Sequence, residues 1–146
     1  MKLLMTLFLI FSIDTVSVRW FTDFDQASVE AAKSNKMILL NFSGSDWCGP
    51  CIRMEKEIFE SAVFDDYAQK YLVLLRADFP RMKKNQLSEA QMKKNEMLAD
   101  KYDSQGKFPY TILMNAKGEV LKEWEGLPQQ SPAAFVAEIN KVTRAR

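Results

Sequence analysis

Apolar residues along this chain alternate between short, nearly continuous runs and stretches with helical spacing. Thr22 or Asp23 can cap a helix carrying Phe24, Ala27, Val29, Ala31 and Ala32, which runs out in the Ser34-Asn35-Lys36 turn. Met37 to Phe42 then reads as a strand covered on both faces, as in a sheet with helices above and below. Beyond the polar Ser43-Gly44-Ser45-Asp46 loop, Cys51, Met54, Ile58 and Phe59 recur at helical spacing. Ser61 can cap a further helix through Tyr71, and Leu72 to Phe79 is a second buried-type strand. A basic stretch with Pro80, Arg81, Lys83 and Lys84 leads into Ser88-Glu89-Ala90-Gln91, a capping-box pattern predicting a helix that reaches Tyr102. Phe108 to Met114 and Glu119 to Trp124 flank Asn115-Ala116-Lys117-Gly118 and predict an antiparallel hairpin, ended by Gly126. Ser131 before Pro132 is an N-cap with proline in the first turn, and Phe135, Val136, Ile139 and Val142 mark the buried face of a last helix.

The N-terminus has a different pattern. Met1 and Lys2 precede an apolar run from Leu3 to Ile13, broken only by Thr6 and Ser12, which fits the start of a secretory signal and is too short to span a bilayer comfortably. Residues 1–17 are expected to be a signal peptide, with small residues Thr15 and Ser17 before the cut, and residues 18–146 a single domain. The alternatives are an uncleaved interfacial anchor or a buried first strand. The expected location is therefore outside the cytoplasm, periplasmic or secreted, with no stable membrane span after signal removal.

Composition narrows the chemistry. With 146 residues and 47% hydrophobic content, the chain can bury one core. Twenty Lys and Arg against nineteen Asp and Glu leave a net charge of +1, so nothing favours nucleic acid as a partner. The sequence contains no histidine, which excludes Ser-His-Asp and Cys-His catalysis and histidine-ligated metals. Its two cysteines stand three apart in Trp47-Cys48-Gly49-Pro50-Cys51, too few for a disulfide-rich scaffold or a four-cysteine metal site. No metal is expected.

The predicted order α-β-α-β-α-β-β-α, with Trp47-Cys48-Gly49-Pro50-Cys51 between the first strong strand and its helix, resembles the thioredoxin superfamily. The likeness runs from about Trp20 to the last helix and includes Phe108-Pro109-Tyr110-Thr111 and the hairpin ending at Gly126. It is closer to secreted bacterial thioredoxin-like proteins with an FxGSDWCxxC segment, as Phe42-Ser43-Gly44-Ser45-Asp46-Trp47-Cys48 reads here. The resemblance implies an α/β thioredoxin fold: a central mixed sheet with a C-terminal antiparallel hairpin and helices on both faces.

It also implies an activity, thiol-disulfide exchange on proteins, with a redox-active Cys48-Cys51 disulfide and no other cofactor. A thiol attacks a disulfide only as thiolate, and a helix N-terminus stabilises that anion. Cys48 is then the attacking thiol and Cys51, one turn in and deeper, the resolving one, with Pro50 in the first turn where its missing N–H costs little. A structural disulfide and half of a metal site are the competing readings of the pair. Gly49-Pro50 is the dipeptide of reducing thioredoxins, so the pair is expected to act as a reductant or exchanger of protein disulfides. Pro109 resembles the family's cis-proline, and Trp47, Phe108, Tyr110 and Gly126 would border an apolar substrate groove. Core packing is the alternative for each aromatic. The implied partners are proteins with disulfides or thiols and an electron-donating redox partner. A binding or chaperone-like module with non-essential cysteines is the alternative function.

The family's buried Asp beneath the cysteines, and its Lys on the neighbouring strand, are matched here by Asn41 and Leu74, so the usual proton acceptor for Cys51 does not carry over. Asp46 or Glu55 could substitute. The Lys-rich segment from Arg81 to Lys94 could steer acidic partners, but its interspersed Glu89 and Glu96 favour a solvated face.

Overall fold

A two-residue strand, β1 (Trp20–Phe21), opens the fold, one element earlier than expected. The computed structural model describes residues 18–144, so the signal-peptide assignment of residues 1–17 lies outside the described residues. Asp23, not Thr22, caps α1 (Phe24–Ser34): its carboxylate accepts from the N–H groups of Asp25 and Gln26. Asn35, at φ 53°, closes that helix in the left-handed conformation that asparagine tolerates better than most residues. β2 (Met37–Ser43) leads to α2 (Gly49–Met54) and a π-helical turn (Glu55–Phe59). Ser61 caps α3 (Ala62–Tyr71), β3 (Leu72–Asp78) follows, and a short 3-10 turn (Lys83–Asn85) precedes α4 (Glu89–Tyr102), capped by Ser88. The hairpin strands are β4 (Tyr110–Met114) and β5 (Val120–Glu125), and α5 covers Pro132–Arg144.

The sheet order is β1-β3-β2-β4-β5. β1 and β2 pair parallel to β3, while β4 runs antiparallel to both β2 and β5, which is the expected mixed sheet with its C-terminal hairpin. The boundaries shift where the backbone chemistry demands it. Proline has no N–H to give to a ladder, so β4 begins after Pro109 rather than at Phe108. The helix expected through Phe59 departs from α-geometry at Glu55, where the Glu60 N–H bonds to the Glu55 carbonyl at 2.9 Å.

Alternation along the strands sends side chains to two cores. Ile38, Leu40 and Phe42 pack with Val73, Leu75, Ala77, Ile112 and Met114 under α1 and α4. Leu39, Leu74 and Leu113 face the other way, against Met54, Ile58, Phe64, Phe135 and Ile139. A helix as short as α2 is not stable through its own hydrogen bonds. Burial of Met54, Ile58 and Phe59 in the second core, worth roughly 1.5–3 kcal/mol for each large side chain, holds it to the sheet.

Candidate active site

The cysteines lie where β2 gives way to α2. Gly44 turns the chain: its carbonyl accepts from the N–H groups of Trp47 and Cys48 at 3.2 and 2.9 Å. A Cβ at Gly44 would come within 2.3 Å of the Trp47 indole, so this position needs glycine for space. Cys48 is the N-cap of α2, in extended conformation, and its carbonyl accepts from the Ile52 N–H at 3.0 Å. The Cys48 and Cys51 sulfurs form a disulfide of 2.11 Å across Cα atoms 5.2 Å apart, and the Cys51 N–H donates to Cys48 Sγ at 3.3 Å. In this oxidised state the two cysteines are 5% and 4% exposed, so the greater depth expected of Cys51 does not appear. Gly49 and Pro50 between them are open to solvent.

An aromatic cluster borders the pair. Trp47 donates its indole N–H to the Phe79 carbonyl at 2.7 Å and meets Phe108 edge-on, with ring centroids 5.4 Å apart. Phe108 also meets Phe79 edge-on at 5.6 Å, and the Phe108-Pro109 peptide bond is cis. The Gly126 N–H donates to the Pro109 carbonyl at 2.8 Å, with Gly126 at φ 73°, so the end of the hairpin is tied to the proline segment. Trp47, Phe108, Pro109 and Gly126 are thereby linked through direct contacts and the intervening chain.

Tyr110 lies in the core rather than at the border of the expected groove. It is 3% exposed and stacks on Phe42 at 6.1 Å in the α1/α4 core, so it does not line a groove. Antiparallel pairing of β2 and β4 sets Tyr110 opposite Phe42, and strand alternation sends both rings inward. Burial, assisted by Glu123, pushes its hydroxyl pKa well up.

Beneath α2 the sheet carries a polar row. Asn41 lies in register with Arg76 on β3 and Thr111 on β4, whereas Leu74 is in register with Leu39, so the residue opposite Asn41 on β3 is Arg76 and not Leu74. Buried Asn41 donates to Thr111 Oγ1 at 3.0 Å, and that hydroxyl reaches Met54 Sδ at 3.9 Å. Arg76 pairs with Glu55 at 2.6 Å and stacks its guanidinium over Trp20 at 4.0 Å. Glu55 follows Cys51 by one turn, its N–H bonded to the Cys51 carbonyl.

Asp46, the other candidate acid, is engaged elsewhere. Its carboxylate accepts from the N–H groups of Arg81 and Met82, both at 2.9 Å, and from the Asn85 side chain at 3.0 Å. The Arg81 N–H is the main reason its pKa falls below the ordinary value. Sequence reasoning missed Arg76, Phe79 and the position of Arg81, whose guanidinium lies 3.7 Å from the Trp47 ring centroid. A lone arginine inside the apolar run Leu72 to Phe79 was the available signal for the first. Among the described residues, no group of three or more His, Cys, Asp or Glu side chains is arranged to hold a metal ion.

A thioredoxin fold with a Cys-x-x-Cys disulfide at the end of its central strand defines a thiol-disulfide oxidoreductase. The chain belongs to the Thioredoxin-like domain family, which it matches over residues 24–143. It is 31% identical over 134 residues to the disulfide bond reductase DsbH of Chlamydia pneumoniae, covering 92% of this chain and 78% of that protein. A solved structure of a DsbH oxidoreductase superposes with a TM-score of 0.80 at 30% identity, covering 97% of this chain and 95% of the other. A thioredoxin from Thermus thermophilus, at 17% identity and a TM-score of 0.66, covers 88% of each chain and shares the fold.

Proposed function

We propose that this thiol-disulfide oxidoreductase acts outside the cytoplasm as a reductant or exchanger of protein disulfides, with Cys48 as nucleophile and Cys51 as resolving thiol. The observation that carries the assignment of roles is the hydrogen bond from the Cys51 N–H to Cys48 Sγ at the start of α2. The same N–H can stabilise a Cys48 thiolate once the pair is reduced. That thiolate attacks a substrate disulfide, forming a mixed disulfide and expelling one substrate thiolate. Cys51 then gives up its proton and attacks Cys48 Sγ, which breaks the mixed bond, frees the second substrate sulfur and leaves the Cys48-Cys51 disulfide. Two electrons pass to the substrate in each cycle, and a reducing partner returns them.

Trp47, Phe108, Pro109 and Gly126 would receive the substrate backbone beside the cysteines. Gly49-Pro50 and the lack of any histidine support the reducing direction, since less thiolate stabilisation favours the reduced form less. The disulfide bond reductase named among the relatives supports it too. The apolar leader from Leu3 to Ile13 supports residues 1–17 as a signal peptide and an exported domain from residue 18 onwards. No helix among the described residues is long and apolar enough to cross a membrane.

Insulin reduction with an external thiol as electron source tests the reading. Rapid reduction that is lost in Cys48→Ser is expected. A rate unchanged by that substitution would instead assign the chain to a binding module with incidental cysteines.

A further inference from the structure

The basic segment after β3 divides in two. Lys94, in α4, is paired with Asp23 and belongs to the solvated face expected of the whole stretch. Arg81, Lys83 and Lys84 are exposed and form no ion pair among the described residues. They project from a loop anchored to the active-site loop. Asp46 holds the backbone N–H groups of Arg81 and Met82, Asn85 adds a side-chain bond to the same carboxylate, and Arg81 covers the Trp47 ring. Trp47 directly precedes Cys48, so the Arg81 guanidinium has a set position relative to the redox pair.

From this placement we infer that the 81–84 loop is a specificity surface which selects disulfides flanked by acidic peptide segments. The inference rests on the proposed reduction of protein disulfides and adds the substrate class. Its ground is charge complementarity in a particular place. The chain as a whole carries only +1, so no global field steers substrates, yet three cations fall within four residues of a loop whose Arg81 covers Trp47, the residue before Cys48. The two neighbouring carboxylates still carry their formal negative charge, which lowers the local excess from three positive charges to one, and both are occupied as hydrogen-bond acceptors. Asp46 faces the loop's own N–H groups, and Asp78 accepts from the Ser45 N–H and hydroxyl at 2.9 and 2.5 Å.

An acidic segment crossing Trp47 would meet the fixed guanidinium of Arg81 first and the mobile ammonium groups of Lys83 and Lys84 next. Exposed Met82 between them offers apolar contact to the same segment. Exposed charges of this kind act mainly on the rate of encounter, through long-range attraction that salt screens. The surface therefore affects which protein disulfide arrives, and not the exchange chemistry.

The test uses two peptides of equal length, each with one disulfide, flanked by Asp and Glu in one and by Lys in the other. Rates of oxidation of the reduced protein are measured at low salt and in 0.5 M salt, with the uncharged 2-hydroxyethyl disulfide as a third substrate. The acidic peptide should react about threefold to tenfold faster at low salt, and the ratio should fall towards one in high salt. Lys83→Ser with Lys84→Ser should lower the ratio, and adding Arg81→Ser should abolish it. Because the readout is a ratio within each preparation, a general loss of activity does not imitate the effect. Equal rates for the two peptides, or a ratio unchanged in the triple variant, would overturn the inference. Failure to react even with 2-hydroxyethyl disulfide would overturn the reductase reading beneath it.

Discussion

Asn41 and Arg76 occupy the same register position on adjacent parallel strands, and their polar side chains lie on the sheet face that α2 covers. Neither is paired directly with the other. Asn41 turns to Thr111 and Arg76 turns to Glu55, so the layer beneath the cysteines divides into a neutral hydrogen-bonded half and a charged half. Asn41 is 2% exposed, while the Arg76 and Glu55 side chains are 16% and 34% exposed, so the neutral half is the drier one.

Asn41→Asp tests that division. The new carboxyl group would be buried, which raises its pKa above the unfolded value of about 3.9, and the cationic neighbour Arg76 would offset part of the rise. With the folded pKa raised, the unfolded chain releases the proton first, so stability falls as pH rises from the unfolded pKa through the folded one. Urea denaturation should show Asn41→Asp losing about 1–2 kcal/mol more relative to the parent at pH 7.5 than at pH 4. In an Arg76→Met background the loss should be larger, measured as a double-mutant coupling. A penalty independent of pH and of Arg76 would contradict this.

The charged half makes a second prediction. Glu55→Ala leaves Arg76 largely covered without its carboxylate and should cost about 1–2 kcal/mol, discounted from the fully buried case because Glu55 is one-third exposed. Arg76→Ala should cost more, since it also removes the stacking over Trp20 and Phe59. Thermal denaturation of the two variants ranks them, and the reverse order would show that the pair, not the stacking, dominates.

A third prediction separates the cysteines. Cys51→Ser lets Cys48 attack but removes the thiol that releases the product, so mixed disulfides with substrate proteins should accumulate on non-reducing gels. Cys48→Ser should accumulate none. Equal trapping by both variants would reject the assignment of roles.

The fourth concerns Asp46. Its depressed pKa means that its support of the 80–86 loop is present above the unfolded pKa and is lost as pH falls through the folded one, below the ordinary 3.8. The amide shifts of Arg81 and Met82 should titrate together in that range, and Asp46→Ala should remove the step and expose Trp47, seen as a change in its fluorescence. Amide shifts that titrate unchanged in Asp46→Ala would assign the step to another group.

The cysteine motif and the strand-helix order were legible because their signals are local: a five-residue motif and runs with one period. Register was not. Period-two alternation puts Leu74 and Arg76 on the same face, and nothing in a single strand says which of the two meets Asn41; only the pairing of β2 with β3 decides it. β1 was too short, at two residues, to show a period. The π-turn was hidden because Ile58 and Phe59 fit helical spacing while the extra residue lies in the backbone bonding. Tyr110 could have been placed correctly, since it shares its parity with Ile112 and Met114 in the strand and so belongs to their core.

If the Cys48-Cys51 pair works as a reductant, its equilibrium reduction potential is low. The potential is read from the thiol-to-disulfide ratio of the pair in defined dithiothreitol or glutathione buffers. A reducing pair should give a value more negative than about −230 mV, towards that of thioredoxin near −270 mV. A value near −120 mV, that of a strong disulfide oxidant, would contradict it.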